Sequence, residues 1–262
     1  MEFADYRLYT PGDDPRRLDW HVYGRTGRPF IKLFMDEQEL HVHVWLDASK
    51  SMDFGGYSYS YSSQAPLTKW DYARQLAAAI GYISLSRYDR VSVSTFVDTI
   101  TGQVKQLRGK GSVPRLFEFL ETVETNGEGD IGAVFKYSGQ LYRQPGMTWL
   151  FSDFMYEAGV KESLKYLLAA RQEVVVVQIL TPEEITPSLT GELKLIDSES
   201  GQSKEVAMTE RVLQSYRLAV EEHTLDLKAF CHEHGIACFL AVTDTDPVAW
   251  LWNELQSSGL IR

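Results

Sequence analysis

The sequence predicts an α/β fold, a doubly wound and mostly parallel sheet flanked by helices, with an N-terminal extension and an inserted β-hairpin late in the chain. Three observations point there. Short strand-like runs alternate with stretches of helical period, the signature of parallel βαβ units. Residues 173–180 form a nearly continuous apolar run, as expected of a strand buried on both faces of a parallel sheet. Two strand-like runs end on an aspartate, Asp47 and Asp153, at the strand ends where ligands collect in open α/β sheets.

Residues 1–35 read as irregular, rich in Gly, Pro, Arg and Asp, with a turn signal at 11–15 and a short extended run at 29–34. Residues 40–46 combine β-branched and aromatic residues and predict a strand that ends at Asp47. A Gly-, Ser- and Tyr-rich loop follows at 53–66. Across 67–87, Ala73, Leu76, Ala77, Ile80, Ile83 and Leu85 recur at helical spacing. Residues 89–97 predict the next strand, and no element is assigned between 98 and 112. Helices are expected at 113–122 and 131–142, a strand at 147–152, a helix at 160–171 and the buried strand at 173–180. The rhythm breaks at 187–208, where two strand-like segments flank a polar turn and predict a β-hairpin. A long helix at 209–234, with Gly235 suited to its C-terminal cap, a strand at 236–242 and a helix at 247–256 complete the chain.

Composition narrows the function classes. With 262 residues, 44% hydrophobic and 24% charged, the chain can bury a sizeable core and is not a disordered polymer. Its 36 acidic and 26 basic residues give a net charge of −10, a field that repels phosphate backbones and argues against nucleic acid as a partner. Arg16, Arg17, Arg25, Arg28 and Lys32 nevertheless lie close together in sequence, either as a patch for an acidic partner or as solvated, locally paired side chains. The two cysteines, Cys231 and Cys238, do not make a disulfide scaffold, and Cys238 lies in an apolar run as a buried small hydrophobe would. The first residues lack the apolar region of a signal peptide, and no run reaches the roughly 18 apolar residues of a membrane helix. The expectation is a cytoplasmic chain without membrane insertion.

The strand ending at Asp47 continues to Ser49 and Ser51, so one carboxylate and two hydroxyls recur at every second residue of one loop. Such a set is all oxygen and low in charge, which suits Mg²⁺ or Mn²⁺ with waters retained and a position left for an outside carboxylate. Asp and Ser after a strand also serve as ordinary caps and turn formers. The second strand-end aspartate, Asp153, favours the site.

Asp47, Ser49 and Ser51, followed by Met52, resemble the metal-ion-dependent adhesion site of von Willebrand factor A domains. The resemblance implies that Asp47, Ser49, Ser51 and Asp153 hold a divalent metal and that the fold is von Willebrand A-like. It also implies a threonine ligand from a later loop, and the matching segment 127–131 has Gly129 at that position. Asp130 and Thr125 are the candidates to substitute. At the start of the chain, Tyr6, Arg7, Tyr9, the run from Pro11 through Trp20, Arg25, Arg28, Ile31 and Lys32 resemble the signature of domain-of-unknown-function family 58. The late hairpin and the segment 231–236 carry the resemblance over nearly the whole chain. It implies a signature segment at 1–36 packed on a main domain at 37–262, with the hairpin at about 187–208. It further implies partnership with a MoxR-type AAA+ ATPase or its client. Arg16, Arg17 and Trp20 are candidate docking residues, although a large aromatic such as Trp20 more often packs inward, with Asp19 pairing an arginine.

Other chemistry is weaker. His41 and His43 alternate on a strand and share a face, but no third ligand is evident. His232 and His234 suit the end of a helix, where cationic side chains are favoured. Asp47 after a strand has a partial likeness to haloacid-dehalogenase-like phosphatases, but these need an acid two residues on, where Ser49 stands. No P-loop or nucleophile elbow is present. The expected function is therefore non-enzymatic, a protein-binding module using the metal site. The alternatives are a scaffold whose metal site is degenerate, binding through its Arg-rich start, and a metal-dependent phosphoester hydrolase.

Overall fold

The computed structural model describes residues 2–35, 39–56, 67–137, 145–187, 191–196 and 203–258. The chain divides into two compact units, Met1–Glu39 and Leu40–Arg262.

The first unit is ordered where the sequence reads as irregular. Strand β1 (Glu2–Leu8) is followed by helix α1 (Trp20–Thr26) and strand β2 (Phe30–Met35), and β1 pairs antiparallel with β2, Leu8 opposite Phe30. Asp19 organises this unit. Its Oδ1 accepts from the backbone N–H groups of His21 and Val22 at 2.9 and 3.1 Å, capping α1, and its Oδ2 takes the Lys32 ammonium and the Tyr6 hydroxyl, each at 3.0 Å. The expected partner of Asp19, an arginine, is thus Lys32. Gly27, in the left-handed region at φ 66°, ends the helix. The short, polar signals around 11–19 hide this order, because a seven-residue helix stabilised by one buried cap carries little apolar periodicity.

The second unit is the predicted sheet. Its strands and helices run β3 (His41–Asp47), α2 (Lys69–Ser86), β4 (Arg90–Phe96), β5 (Ile100–Arg108), α3 (Val113–Thr122), α4 (Ile131–Tyr137), β6 (Gly146–Ser152), α5 (Val160–Ala169), β7 (Gln172–Leu180), α6 (Pro182–Ile185), β8 (Gly191–Ile196), β9 (Ser203–Met208), α7 (Glu210–Glu233), β10 (Ala237–Val242) and α8 (Pro247–Ser258). Six strands lie in the order β10-β7-β6-β3-β4-β5. All neighbours pair in parallel except β4, the strand expected at 89–97, and β5, which has no counterpart in the sequence pattern; these two form an antiparallel edge hairpin. The edge position explains the omission: β5 has only two buried residues, Val104 and Leu107, and so lacks a clean apolar alternation. The inserted hairpin is present as β8 paired antiparallel with β9. Helix α4 is described only to Tyr137, and the rest of the expected 131–142 helix lies outside the described residues, as does most of the loop at 53–66.

Side-chain alternation on β3 sends residues to both faces. Val42, Val44 and Leu46 join a core with Tyr72, Leu76 and Ile80 of α2, Leu116 of α3 and Trp250 of α8. Trp45 joins the opposite core with Phe96, Phe135 of α4, Leu164 of α5 and Phe230 of α7. Cys231 is the fully buried cysteine, while Cys238 is half-buried, so the expected burial belongs to its neighbour; both are free thiols. From β3 the chain builds outward through β4 and β5, then returns through β6 to build the other side. This reversal opens a crevice at the carboxyl ends of β3 and β6, where the winding changes direction.

Candidate functional site

Asp47 is the last residue of β3, held in register by β4 on one side and by β6 on the other, and it is fully buried. The loop beyond it is stitched to two neighbours. Ala48 N–H donates to Phe96 O at 2.8 Å, Asn126 N–H donates to Ala48 O at 2.8 Å, and Lys50 N–H donates to Gly127 O at 3.0 Å. The chain turns back on itself because Ser49 N–H donates to Asp47 Oδ1 at 2.9 Å. A short 3-10 turn, Lys50–Asp53, then brings the Ser49 and Ser51 hydroxyls to 3.0 Å from each other. The two serine hydroxyls thus face each other, and Asp47 is tied to the Ser49 backbone.

Asp153 follows β6 on the other side of the crevice and is 3% exposed. Its Oδ1 accepts from Met155 N–H at 3.1 Å, and its main-chain carbonyl accepts from Gln178 Nε2 at 3.1 Å. The next residue, Phe154, sits at φ 58°, and its carbonyl is bonded to His223 Nε2 on α7 at 2.8 Å.

Four residues that the sequence reading does not select complete the cluster. Ser152 Oγ donates to Asp47 Oδ2 at 2.7 Å, and the Tyr156 hydroxyl donates to the same oxygen. Lys69, at the first position of α2 and 1% exposed, gives its ammonium to Asp153 Oδ2 at 2.7 Å and to Glu184 Oε1. Glu184 is fixed by the capping box of α6, its Oε2 accepting from Thr181 N–H at 2.8 Å. A buried lysine on the apolar side of a helix was the one available signal, since such a residue demands a buried anion. Tyr156 has no periodic or motif signature, and the Thr181-x-x-Glu184 capping-box pattern marks a helix start without pointing to Lys69.

The electrostatics follow from burial. Burial pushes the Asp47 carboxyl up to about 6, with the charge of Asp153 adding to it, against the lowering effect of the bonds from Tyr156, Ser152 and Ser49. Burial and the neighbouring Asp47 charge raise the Tyr156 phenol, so it remains a donor. Burial opposes charge on Lys69, but the Asp153 and Glu184 carboxylates outweigh it and hold the ammonium. The Lys69 ammonium is shared by Asp153 and Glu184, while Asp47 accepts only neutral donors, so three carboxylates and one ammonium leave this cluster a net of two negative charges.

The other predicted residues lie elsewhere. Asp130 is exposed and caps α4, its Oδ1 accepting from Ala133 N–H at 3.0 Å, and no described contact joins it to Asp47, Ser49 or Ser51. Thr125 is half-buried, again with no described bond to the cluster. Gly129 does lie at the site: a Cβ there would stand 2.9 Å from Tyr156 Cε1 and 3.1 Å from Ser49 Cβ. Trp20 corrects an expectation, since it is 67% exposed rather than packed inward, and it meets Tyr23 edge to face with ring centres 6.1 Å apart. Arg16, Arg17, Arg25 and Arg28 are exposed, without an ion pair among the described residues. His41 and His43 share a face with stacked rings, and His234 closes α7 with its Nδ1 bonded to Phe230 O. Among the described residues no three or more His, Cys, Asp or Glu form a group that could hold a metal ion by themselves, and no helix is long and apolar enough to cross a membrane.

Comparison with known proteins gives relatives over almost the whole length. The uncharacterised protein Rv1480 of Mycobacterium tuberculosis is 28% identical over 257 residues, covering 95% of this chain and 76% of the relative. The uncharacterised protein Mb1516 of Mycobacterium bovis matches to the same extent, 28% over 257 residues. Among solved structures, an aerotolerance-related membrane protein from Bacteroides fragilis aligns over 85% of this chain and 100% of its own at TM-score 0.49 and 15% identity. BatB from Bacteroides thetaiotaomicron aligns over 84% and 98% at TM-score 0.47 and 14% identity. The SpRpn10 VWA domain aligns over 82% and 95% at TM-score 0.44 and 10% identity. The model of the family described as "Protein of unknown function DUF58" matches residues 5–226, and the chain belongs to that family.

Proposed function

We propose that this chain is a non-enzymatic protein-binding module that holds a divalent cation through Asp47, Ser49 and Ser51, with Asp153 across the crevice, and offers an open coordination position to a carboxylate of its partner. The charge imbalance carries this reading. Lys69 is shared by Asp153 and Glu184, while the fully buried Asp47 accepts only neutral donors, and buried charge that is not paired is either neutralised or bound to metal. A divalent cation supplies the missing two charges. The donor set fits its chemistry. All the oxygens are hard, and the Ser49 and Ser51 hydroxyls stand 3.0 Å apart. Adjacent ligands of a Mg²⁺ octahedron, each about 2.1 Å from the ion, are separated by roughly that distance. The bound ion would polarise an incoming carboxylate without cleaving anything. A phosphoester hydrolase would need an acid where Ser49 stands. The family resemblance suggests a MoxR-type AAA+ ATPase, or its client, as the partner.

The test is Mn²⁺ titration of the full chain by calorimetry and electron paramagnetic resonance, paired with Mg²⁺-dependent co-elution with the purified ATPase. Asp47→Asn keeps the side chain's size and removes its charge. The expected result is a loss of Mn²⁺ affinity of at least about tenfold, with the complex abolished to the same degree. Mn²⁺ uptake by the variant equal to that of the wild type would sink the reading.

One observation favours a second reading, a scaffold that binds through its first unit. Trp20 is 67% exposed beside Tyr23 at 44%, next to arginines with no carboxylate partner among the described residues. Arg and Trp are enriched at interface hot spots.

A further inference from the structure

We infer that Tyr156 is a positioning residue of this site, its ring filling the space that Gly129 leaves and its hydroxyl, on the loop after β6, holding Asp47 for the cation; this rests on the metal reading above. The two residues are matched by packing. Gly129 is not among the residues with left-handed backbone, so its φ does not demand glycine. Space does. A Cβ at 129 would stand 2.9 Å from Tyr156 Cε1, 3.1 Å from Ser49 Cβ and 3.4 Å from Ser49 Oγ. Any side chain there displaces the tyrosine ring or the serine that the site needs.

The phenol uses that space to fix Asp47. A carboxylate has about four lone-pair sites on its two oxygens. On Asp47, Oδ2 accepts two donors, Tyr156 Oη and Ser152 Oγ at 2.7 Å, while Oδ1 accepts one, Ser49 N–H at 2.9 Å. Ser152 Oγ also lies 3.3 Å from Tyr156 Oη, so the two hydroxyls brace each other on one oxygen. The remaining lone pair belongs to Oδ1, on the side of the Ser49 turn. The side chain is held at both ends with one site left for a cation, the arrangement by which outer hydrogen bonds orient a metal ligand.

Mn²⁺ affinity measured by calorimetry and electron paramagnetic resonance on the full chain tests this, with a thermal melt of each variant. Tyr156→Phe keeps the ring against Gly129 and removes one oxygen. It is expected to melt close to the wild type and to lose Mn²⁺ affinity by about 10–100-fold. Gly129→Thr alone should also lose affinity, because the new Cβ pushes the phenol off Asp47. Wild-type affinity in Tyr156→Phe overturns the inference and leaves the metal reading standing. A wild-type chain that takes up no Mn²⁺ overturns both.

Discussion

Lys69 stands at the first turn of α2 with its side chain 1% exposed and its ammonium between Asp153 and Glu184. Removing one partner of a buried ion pair strands the other, so Lys69→Met should cost about 3–5 kcal/mol of stability, read as a lower urea midpoint at neutral pH. Adding Asp153→Asn to that variant should recover part of the loss, because the stranded charge is then gone. His43 makes a separate prediction in acid. Burial holds its imidazole down at about 4, and the neighbouring His41 adds to this. An unfolded histidine protonates near 6.5, so between about pH 6.5 and pH 4 the unfolded chain binds the extra proton. The stability from a neutral His43 is therefore whole above pH 6.5 and is lost as pH falls toward 4, on the order of 2–3 kcal/mol. Urea midpoints measured across this range should fall with acid, and His43→Asn should flatten that limb.

At the scale of elements, the site depends on what ends each strand. β3 ends in an Asp turn, β6 in the Ser152–Asp153 pair, and β7 in the Thr181 capping box of α6 that aims Glu184 at Lys69. Thr181→Ala removes the hydroxyl that accepts from Glu184 N–H at 3.2 Å. The expected cost is about 1 kcal/mol in chemical denaturation, with Glu184 freed from Lys69. The strands of this sheet were legible because their burial imposes continuous or alternating apolar patterns, as in β7 with only Glu173 exposed along nine residues. Edge strand β5 and the short helix α1 were not, because half-exposed or very short elements leave a composition close to that of loops.

For the whole molecule, the strand order makes the crevice. β3 sits between β4 and β6, and the chain winds away from it in both directions. The two units also give separable tests. If the exposed arginines and Trp20 bind an acidic segment of a partner, Arg16→Glu combined with Arg17→Glu should weaken binding of a labelled acidic peptide by at least about tenfold, as hot-spot losses do, while Mn²⁺ uptake stays at the wild-type level. Fluorescence anisotropy reads the first, and calorimetry the second. Retention of peptide binding by that variant would remove the first unit from the interface.

The sequence by itself determined the α/β class, the inserted hairpin and the placing of Asp47, Ser49 and Ser51 on one loop at the end of β3. Each is encoded locally: by apolar period, by turn residues, or by donors two residues apart on one loop. Tertiary structure alone decided what meets those donors. Lys69 lies 84 residues from Asp153, Tyr156 lies 109 from Asp47, and Lys69 lies 115 from Glu184. No local pattern encodes such pairings, because they depend on which strands become neighbours and on the space a single glycine leaves between them. The exposure of Trp20 was decided in the same way, since burial depends on what packs against a residue and not on its type.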